Sequence, residues 1–308
     1  MGRKRSQTEA QPLSPPESAT TTTTAMAATH ISKNPLEFSK IQFRARKVRK
    51  LSSKTSTNGV SILGSSKSVV EDSINSSHED PLKKPSSVFP KTLKPLTSKP
   101  EIDAALDYLR SSDPILATLI DSYPAPAFKS DRLPFQSLSR SILYQQLASK
   151  AADSIYTRFV SLCGGESLVL PDSVSSLSAQ QLRQIGVSGR KASYLHDLAD
   201  KFRNGSLSDS SILEMDDESL LTMLTMVKGI GVWSVHMFMI FSLHRPDVLP
   251  LGDLGVRKGV QRLYGLKELP KPLEMEQLCE KWKPYRTVGS WYMWRLMDPK
   301  AKDVLPTS

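Results

Sequence analysis

Apolar residues recur every three to four positions over most of the chain beyond residue 100. The first stretch shows this simply, because its apolar side chains fall on one helical stripe: Ile102, Ala105, Leu106 and Leu109. A second clear stretch covers residues 188–204 and ends at Gly205, a residue type that often terminates helices. The two-residue alternation of half-buried strands is not evident in this region. The pattern predicts an all-α domain of about ten short helices.

Cap and stop residues divide the rest of this region into further helices. Asp113-Pro114 supplies a cap and a first-turn proline, Ser178 supplies another cap, and Gly164-Gly165 supplies a stop. The further helices predicted in this way cover residues 135–147, 151–163, 179–185, 254–264, 273–282 and 287–297. A helix that opens at Asp216 and Asp217 runs into a glycine turn.

That glycine turn, Val227-Lys228-Gly229-Ile230-Gly231, joins two apolar helices with almost no connecting residues. Gly229 and Gly231 permit positive φ and leave the backbone uncovered, so N–H groups at the start of the second helix can face outward. Such a turn suits a phosphate, with the positive end of the helix dipole behind it. On these residues alone, a turn whose glycines serve only packing is an equally good interpretation.

The first part of the chain differs in composition. Residues 1–100 hold 17 Lys and Arg against 7 Asp and Glu, which accounts for the net charge of +10. Low apolar content and many Ser, Thr and Pro predict a disordered basic tail over residues 1–98, a folded domain over 99–300 and a flexible C-terminus over 301–308. Basic clusters at residues 3–5 and 44–50 indicate nuclear localisation or nucleic-acid contact, and an organellar transit peptide is the alternative.

Two further features limit the function classes. Cys163 and Cys279 are the only cysteines, which favours a reducing compartment and is too few for a four-cysteine iron–sulfur cluster or zinc site. The longest apolar run near the glycine turn, residues 237–241, is far too short to span a bilayer. We expect no membrane partner and no required cofactor.

Five segments carry a family resemblance when they are taken in order. They are SILYQQLASKAA at 141–152, LRQIGVS at 182–188, KGIGVW at 228–233, LPLGD at 249–253 and WKPYR at 282–286. Over residues 133–297 the chain resembles the helix-hairpin-helix DNA glycosylase superfamily, and within it the 3-methyladenine DNA glycosylase II branch. The resemblance implies two helical subdomains with the hairpin at the cleft, damaged double-stranded DNA as the partner, and a monomer.

An aspartate in a glycine-flanked loop is ordinarily a helix cap, and Asp253 could serve as one. The resemblance instead places Asp253 at the position of the superfamily's catalytic aspartate. Breaking a glycosidic bond passes through an oxocarbenium-like sugar, which a nearby anion stabilises, and a carboxylate can also activate water. A base alkylated on a ring nitrogen already carries positive charge and leaves readily, so selectivity for cationic lesions is expected.

The resemblance also implies a pocket for an extruded base. Trp233 and Trp294 match positions that line this pocket or stack on the base, and Tyr144 is a further candidate for its wall. Leu147 is the candidate wedge that fills the gap in the duplex, and a core leucine at a helix end is the alternative.

Two further expectations concern the hairpin. Gly229 and Gly231 would form its phosphate-binding turn. The resemblance also implies a hairpin Na⁺ or K⁺ held by backbone carbonyls, which here would belong to Thr225, Val227 and Ile230.

Superfamily members that also cleave the strand use a lysine two residues after the second glycine of the hairpin, where this sequence has Trp233. We therefore expect a monofunctional DNA glycosylase without AP-lyase activity, which excises alkylated purines such as 3-methyladenine and 7-methylguanine by base flipping and hydrolysis. The alternatives are a non-catalytic helix-hairpin-helix DNA-binding module and a glycosylase for another damaged or deaminated base.

Overall fold

A computed structural model describes residues 93–298, and all regular structure in this range is helical. The α-helices are α1 (Lys99–Ser112), α2 (Pro114–Ser122), α3 (Pro134–Tyr144), α4 (Ser149–Cys163), α5 (Pro171–Ser176), α6 (Ala179–Gln184), α7 (Gly189–Arg203), α8 (Asp209–Glu214), α9 (Asp217–Thr225), α10 (Val232–Phe241), α11 (Leu254–Leu263), α12 (Pro272–Leu278) and α13 (Arg286–Leu296). The all-α prediction is confirmed. The predicted tail, up to residue 92, and the predicted flexible C-terminus lie outside the described residues.

The helices pack in two groups, as the prediction of two helical subdomains requires. In one group α1 and α2 pack on each other and on α13, which also packs along α11. In the other group α3 contacts α4, α7 and α8, while α5 and α6 pack on α7. The pair α9 and α10 forms the hairpin, and α10 packs on α3. A single apolar core runs through the described residues, so the two groups share a continuous interior.

The packed part of the chain includes residues ahead of the predicted domain boundary at residue 99. Leu96 is fully buried, and its backbone N–H donates a 2.9 Å hydrogen bond to the carbonyl of His244. A buried leucine with its backbone paired contributes to the core, so this segment belongs with the helices rather than with the tail.

The third helix is shorter than the predicted range of 135–147, which was wrong at its C-terminal end. α3 ends at Tyr144, because Gln146 adopts a left-handed φ of +56° that no right-handed helix accommodates. Residues 145–148 therefore form a loop, which we call the α3–α4 loop. Glycine is the usual residue at such a φ, so the glutamine gave no sequence signal for this break.

Periodicity also missed or merged several short elements. α5 and α8 have six residues each, too short for an apolar period to repeat. The range 273–282, predicted as one helix, divides into α12 and a 3-10 turn at Glu280–Trp282. These differences leave the order of the longer helices unchanged.

A buried aspartate joins the start of α2 to the end of α11 and to the 3-10 turn before α13. Asp113 caps α2 by accepting from Leu116 N–H at 3.3 Å, and its Oδ2 accepts from Trp282 Nε1 at 2.8 Å and from the Tyr264 hydroxyl. Lys281 Nζ lies 3.4 Å from its other oxygen. Burial alone would raise the pKa of Asp113, but the hydrogen bonds from Trp282 and Tyr264 outweigh burial and hold the pKa below its ordinary value.

Candidate active site

The loop between α10 and α11 is fixed to the start of α13. Arg286 binds both carboxylate oxygens of Asp247, at 2.6 Å through Nε and at 2.8 Å through Nη2. Thr287 Oγ1 accepts from Val248 N–H at 3.0 Å and donates to the carbonyl of Arg245 at 2.6 Å. A bidentate ion pair and a shared hydroxyl give this loop a defined path towards its last residue, Asp253.

Asp253 begins α11 as its N-cap residue. Its Oδ1 accepts from the Val256 N–H at 2.9 Å, which is the usual capping bond, and the residue is only 5% exposed. Asp253 is therefore a helix cap, as its glycine-flanked position predicts. A single capping bond leaves most of the acceptor capacity of a carboxylate unused, so further donors are expected around a buried one.

Two indoles supply those donors, one to each oxygen. Trp294 Nε1 donates to Oδ1 of Asp253 at 2.8 Å, and Trp233 Nε1 donates to Oδ2 at 2.7 Å. Together with the Val256 N–H, three donors that cannot accept a hydrogen bond converge on one carboxylate. The arrangement fixes the orientation of the carboxylate.

The two indoles differ in their exposure. Trp294 is 5% exposed and packs against Phe241, with ring centroids 5.6 Å apart. Trp233 is 43% exposed, although it is bonded to the same carboxylate. Gly255 makes room for the buried indole, because a Cβ at this position would lie 2.8 Å from Cδ1 of Trp294. The carboxylate thus sits between a packed indole and a partly exposed one.

The structure therefore brings together three residues that were singled out from separate segments: Asp253, Trp233 and Trp294. They lie at the start of α11, in the first turn of α10 and near the end of α13. Their catalytic and base-stacking roles remain predictions.

Tyr144, the fourth candidate for the pocket, makes its hydrogen bonds elsewhere. Its hydroxyl donates to Asp153 and accepts from Arg140 Nη2 at 2.5 Å, and the Arg140 guanidinium lies 3.9 Å from its ring centroid. Burial and the hydrogen bond to Asp153 raise the pKa of Tyr144 to about 12. These contacts join the end of α3 to α4, and the assignment of Tyr144 to the base pocket stays a prediction.

The hairpin turn depends on one glycine in particular. Gly229 has a φ of +80°, and a Cβ at this position would lie 2.1 Å from the ring of Tyr194. Only glycine satisfies both conditions. Gly231 follows as the N-cap of α10, and Ile230 between the two glycines is buried in the core. The first N–H groups of α10 have no acceptor within their own helix, which is the feature that suits an anion.

Asp197 of α7 binds both the backbone and the side chain of Lys228 in the hairpin turn. Its Oδ2 accepts from the Lys228 N–H at 2.9 Å, and its Oδ1 lies 3.2 Å from Lys228 Nζ. Burial would raise the pKa of Asp197, but the hydrogen bonds from Lys228 outweigh burial and lower the pKa. The turn is therefore fixed by a carboxylate beneath it as well as by the Tyr194 ring.

The α3–α4 loop lies beside the hairpin and is tied to it. Gln145 Nε2 donates to the carbonyl of Gly229 at 2.9 Å. Gln146 is exposed, while Leu147 is half-buried and lines a cleft of about 220 Å³ next to α7. Gln146 is the more exposed of the two residues and could also enter a duplex. It is a second candidate beside Leu147, which the sequence alone singled out.

Three residues of α7 were also missed: Lys191, Tyr194 and Asp197. All three touch the hairpin or the α3–α4 loop. Their spacing of three residues places them along one face of α7, and this was the signal available in the sequence. A polar helix face usually meets solvent, so the pattern alone gave no reason to place these side chains under two loops.

The hairpin carbonyls were also expected to hold a cation. The Val227 carbonyl already accepts from the Ile230 N–H at 3.1 Å, which leaves it one lone pair, and Thr225 is the last residue of α9, where helix carbonyls lack partners. Neutral carbonyls at the negative end of a helix dipole suit a monovalent ion. Among residues 93–298, no group of three or more His, Cys, Asp or Glu side chains could hold a metal ion.

The fold and the site together define a class of protein. An all-α domain that contains a glycine hairpin is the fold of helix-hairpin-helix base-excision proteins. Residues 139–284 match the family described as HhH-GPD superfamily base excision DNA repair protein, and the chain belongs to this superfamily. None of the helices within the described range is long and apolar enough to cross a membrane.

Relatives and solved structures agree with this membership. The chain is 33% identical to DNA-3-methyladenine glycosylase 1 of Schizosaccharomyces pombe, over 58% of this chain and 79% of that protein. The crystal structure of a DNA-3-methyladenine glycosidase from Bacillus halodurans superposes with a TM-score of 0.60 and 34% identity, covering 65% of this chain and 91% of that one. The Schizosaccharomyces pombe 3-methyladenine DNA glycosylase in complex with abasic DNA superposes with a TM-score of 0.54 and 31% identity, covering 62% and 95%.

Proposed function

We propose that this protein is a monofunctional DNA glycosylase that excises alkylated purines, such as 3-methyladenine and 7-methylguanine, from double-stranded DNA. The observation that carries the proposal is the Asp253 carboxylate, held by three N–H donors, one of which is the partly exposed indole of Trp233. The names of the similar proteins, DNA-3-methyladenine glycosylases of yeast and bacteria, support this substrate class. The type II branch is part of the proposal and rests on the resemblance of the five sequence segments.

The proposed reaction breaks the bond between C1′ of the sugar and the ring nitrogen of the base. The alkylated base leaves with the bonding electron pair and so becomes neutral, while positive charge develops on the sugar. The Asp253 carboxylate stabilises that charge, and water then adds to C1′ and gives its proton to the carboxylate or to solvent, which leaves an abasic site. The three donors keep the anion oriented before the charge develops, so no reorganisation is needed in the transition state.

The same geometry supports the absence of AP-lyase activity. Trp233, in the first turn of α10, stands where a strand-cleaving enzyme of this superfamily carries its amine nucleophile, and here the side chain is a hydrogen-bond donor to Asp253. An indole nitrogen cannot form an imine with an opened sugar. Base removal without strand cleavage is therefore the expected outcome.

Binding of DNA would rest on the hairpin and the α3–α4 loop. In this proposal the first N–H groups of α10 bind a backbone phosphate, and a hairpin Na⁺ or K⁺ on the carbonyls of Thr225, Val227 and Ile230 would add positive charge there. Gln146 or Leu147 fills the gap left by the extruded nucleotide. Excision assays of Gln146→Ala and Leu147→Ala separate the two, because only loss of the intercalating side chain lowers the rate while the fold is retained.

The N-terminal basic clusters support action in the nucleus, with an organelle as the alternative compartment. The proposed tail would add sequence-independent affinity for DNA. A chain that begins at residue 93 should then bind DNA more weakly and with a flatter salt dependence.

The decisive experiment uses the full chain and duplex oligonucleotides that carry 3-methyladenine, 7-methylguanine or hypoxanthine. Alkali-dependent strand cleavage by the wild type, lost in Asp253→Asn with DNA binding retained, is the expected result. Asp216→Asn is the matched control, since Asp216 also caps a helix and asparagine caps equally well.

Other outcomes have defined meanings. Excision by Asp253→Asn at the wild-type rate would remove Asp253 from the chemistry. Binding without excision of any of these bases by the wild type would favour the non-catalytic module. A covalent adduct trapped by borohydride would contradict the monofunctional assignment.

A further inference from the structure

One face of α7 supports both segments that the proposed function assigns to DNA. Tyr194 lies under Gly229, and Asp197 binds Lys228, so this face contacts the hairpin at two points. One turn earlier, Lys191 contacts the α3–α4 loop. A single rigid helix of 15 residues therefore connects the hairpin to that loop.

Lys191 binds both the last turn of α3 and the first residue of the α3–α4 loop. Its Nζ donates to the carbonyl of Leu143 at 2.7 Å and to the carbonyl of Gln145 at 2.7 Å. The side chain is half-buried, and burial lowers the pKa of Lys191. Carbonyls in the last turn of a helix lack partners and carry the negative end of its dipole, so an ammonium group is a strong ligand for them.

Lys191 binds α3 at the point where this helix ends. The left-handed φ of Gln146 turns the chain out of the helix, which leaves the carbonyls of residues 143 and 145 free to be bound by Lys191. A non-glycine residue in this conformation is costly by about 1 kcal/mol or more and persists only when its surroundings hold it. Two short bonds to one ammonium group supply such a constraint.

A second tie completes the connection. Gln145 Nε2 donates to the carbonyl of Gly229 at 2.9 Å, so the α3–α4 loop is bonded to the hairpin as well as to α7. The loop, the hairpin and α7 form a closed triangle of contacts. In such an arrangement the loop cannot shift relative to the hairpin unless one of these bonds breaks.

We propose that α7 sets the distance between the phosphate-binding hairpin and the duplex-entering loop, with Lys191 as the positioning residue. The inference rests on the proposed function, because both segments must act on the same nucleotide. One segment holds the backbone while the other fills the gap, and errors of about 0.5 Å matter for such a constellation. Lys191 acts through the loop and touches neither the base nor the sugar.

A direct phosphate contact is the competing role for a lysine in a DNA-binding protein, and the two roles predict different salt dependences. A phosphate contact contributes about 0.9 to the slope of log K against log salt concentration. A positioning lysine contributes nothing to that slope, because its charge is already engaged by carbonyls. The rate of base excision, by contrast, depends on loop position.

The test compares Lys191→Met and Lys191→Arg with the wild type in the full-length chain. Arg190→Met is the matched control, since Arg190 is an exposed cation in the same turn of α7. The measurements are the single-turnover rate on a 7-methylguanine duplex, Kd at several salt concentrations, the fluorescence of 2-aminopurine placed next to the lesion, and Tm.

For Lys191→Met we expect a rate at least about tenfold lower, reduced 2-aminopurine fluorescence on binding, Kd within about threefold and an unchanged salt slope. An arginine has five N–H donors and can still donate to both carbonyls, so Lys191→Arg should recover most of the rate. Arg190→Met should keep the wild-type rate. Gln145→Ala removes the hydrogen bond between the α3–α4 loop and Gly229, leaves Lys191 in place, and should lower the rate in the same way. This variant tests the inference if Lys191→Met folds poorly.

Two results would overturn the inference. One is a wild-type rate in both Lys191→Met and Gln145→Ala. The other is a Lys191→Met defect confined to Kd with a salt slope smaller by about 0.9, which would make Lys191 a phosphate ligand. A wild type that excises no alkylated base would instead contradict the proposed function, and the 2-aminopurine comparison would still report whether the loop is correctly placed.

Discussion

Trp294 and Asp253 are joined by a 2.8 Å hydrogen bond that ends on Oδ1, the same oxygen that caps α11. Oδ1 therefore has two donors in the packed interior, whereas Oδ2 has the indole N–H of the partly exposed Trp233. The two oxygens of the candidate catalytic carboxylate are held by different parts of the fold. Their partners can be removed one at a time.

Replacing either tryptophan with phenylalanine keeps a ring and removes its N–H donor. Trp294→Phe should lower the free energy of unfolding by about 1.5 to 3 kcal/mol, because a buried bond to a charged group is lost. Trp233→Phe should cost less, about 0.5 to 1.5 kcal/mol, because its indole is partly exposed, and should still slow excision, because Oδ2 is no longer oriented. Urea unfolding and single-turnover excision measure the two effects. Equal stability losses would contradict the unequal burial of the indoles.

Gly255 tests the packing around the same carboxylate. Alanine in a helix normally stabilises relative to glycine by about 0.5 to 1 kcal/mol. Here its Cβ would lie 2.8 Å from Trp294 Cδ1 and 3.1 Å from Asp253 Oδ1, so Gly255→Ala should lower both Tm and the excision rate. Gly252→Ala is the control for stability, because a Cβ there meets nothing within 4 Å and Tm should hold. A more stable and fully active Gly255→Ala would show that the indole can move.

The packing around Asp253 shows how far the sequence alone could lead. The apolar period and the cap residues predicted the longer helices, and Gly229 and Gly231 marked the hairpin between two of them. The resemblance to known glycosylases singled out Asp253, Trp233 and Trp294, yet no local pattern states that residues 20 and 41 positions away bond to opposite oxygens of one carboxylate. Such contacts depend on how α10, α11 and α13 pack.

Other parts of the site were missed for a different reason. The break of α3 depends on a left-handed glutamine, and glutamine carries no preference for that conformation. The polar face of α7 is typical of a solvent-exposed surface, because the periodic pattern of a helix does not predict which other segments pack on it. The roles of Lys191 and Asp197 follow from the fold, because Lys191 binds the α3–α4 loop and Asp197 binds the hairpin turn.

The hairpin glycine offers a test of DNA binding. Gly229→Ala meets two obstacles, a φ of +80° and a ring carbon of Tyr194 only 2.1 Å from the new Cβ. We expect DNA affinity to fall by at least about tenfold, since the turn must open. Adding Tyr194→Ala removes the collision and leaves the backbone strain of about 1 to 2 kcal/mol, so the double variant should recover part of the loss. Fluorescence anisotropy with an undamaged duplex measures both, and a single variant with wild-type affinity would separate the turn from DNA binding.

Asp113 gives a prediction about pH that leaves the active site untouched. Asp113→Asn places an amide against the donors of Trp282 and Tyr264, and should lower the free energy of unfolding at pH 7 by about 2 to 3 kcal/mol. The folded-state pKa of Asp113 lies below its ordinary value. Its contribution is therefore fully present above the unfolded-state pKa of about 3.9, and is lost as pH falls through the folded-state pKa. Urea unfolding of both proteins between pH 7 and pH 3 should show the difference narrowing only at the acidic end, while excision at pH 7 stays at the wild-type rate. A stability difference that stays constant down to pH 3 would mean that the charge of Asp113 does not stabilise the fold.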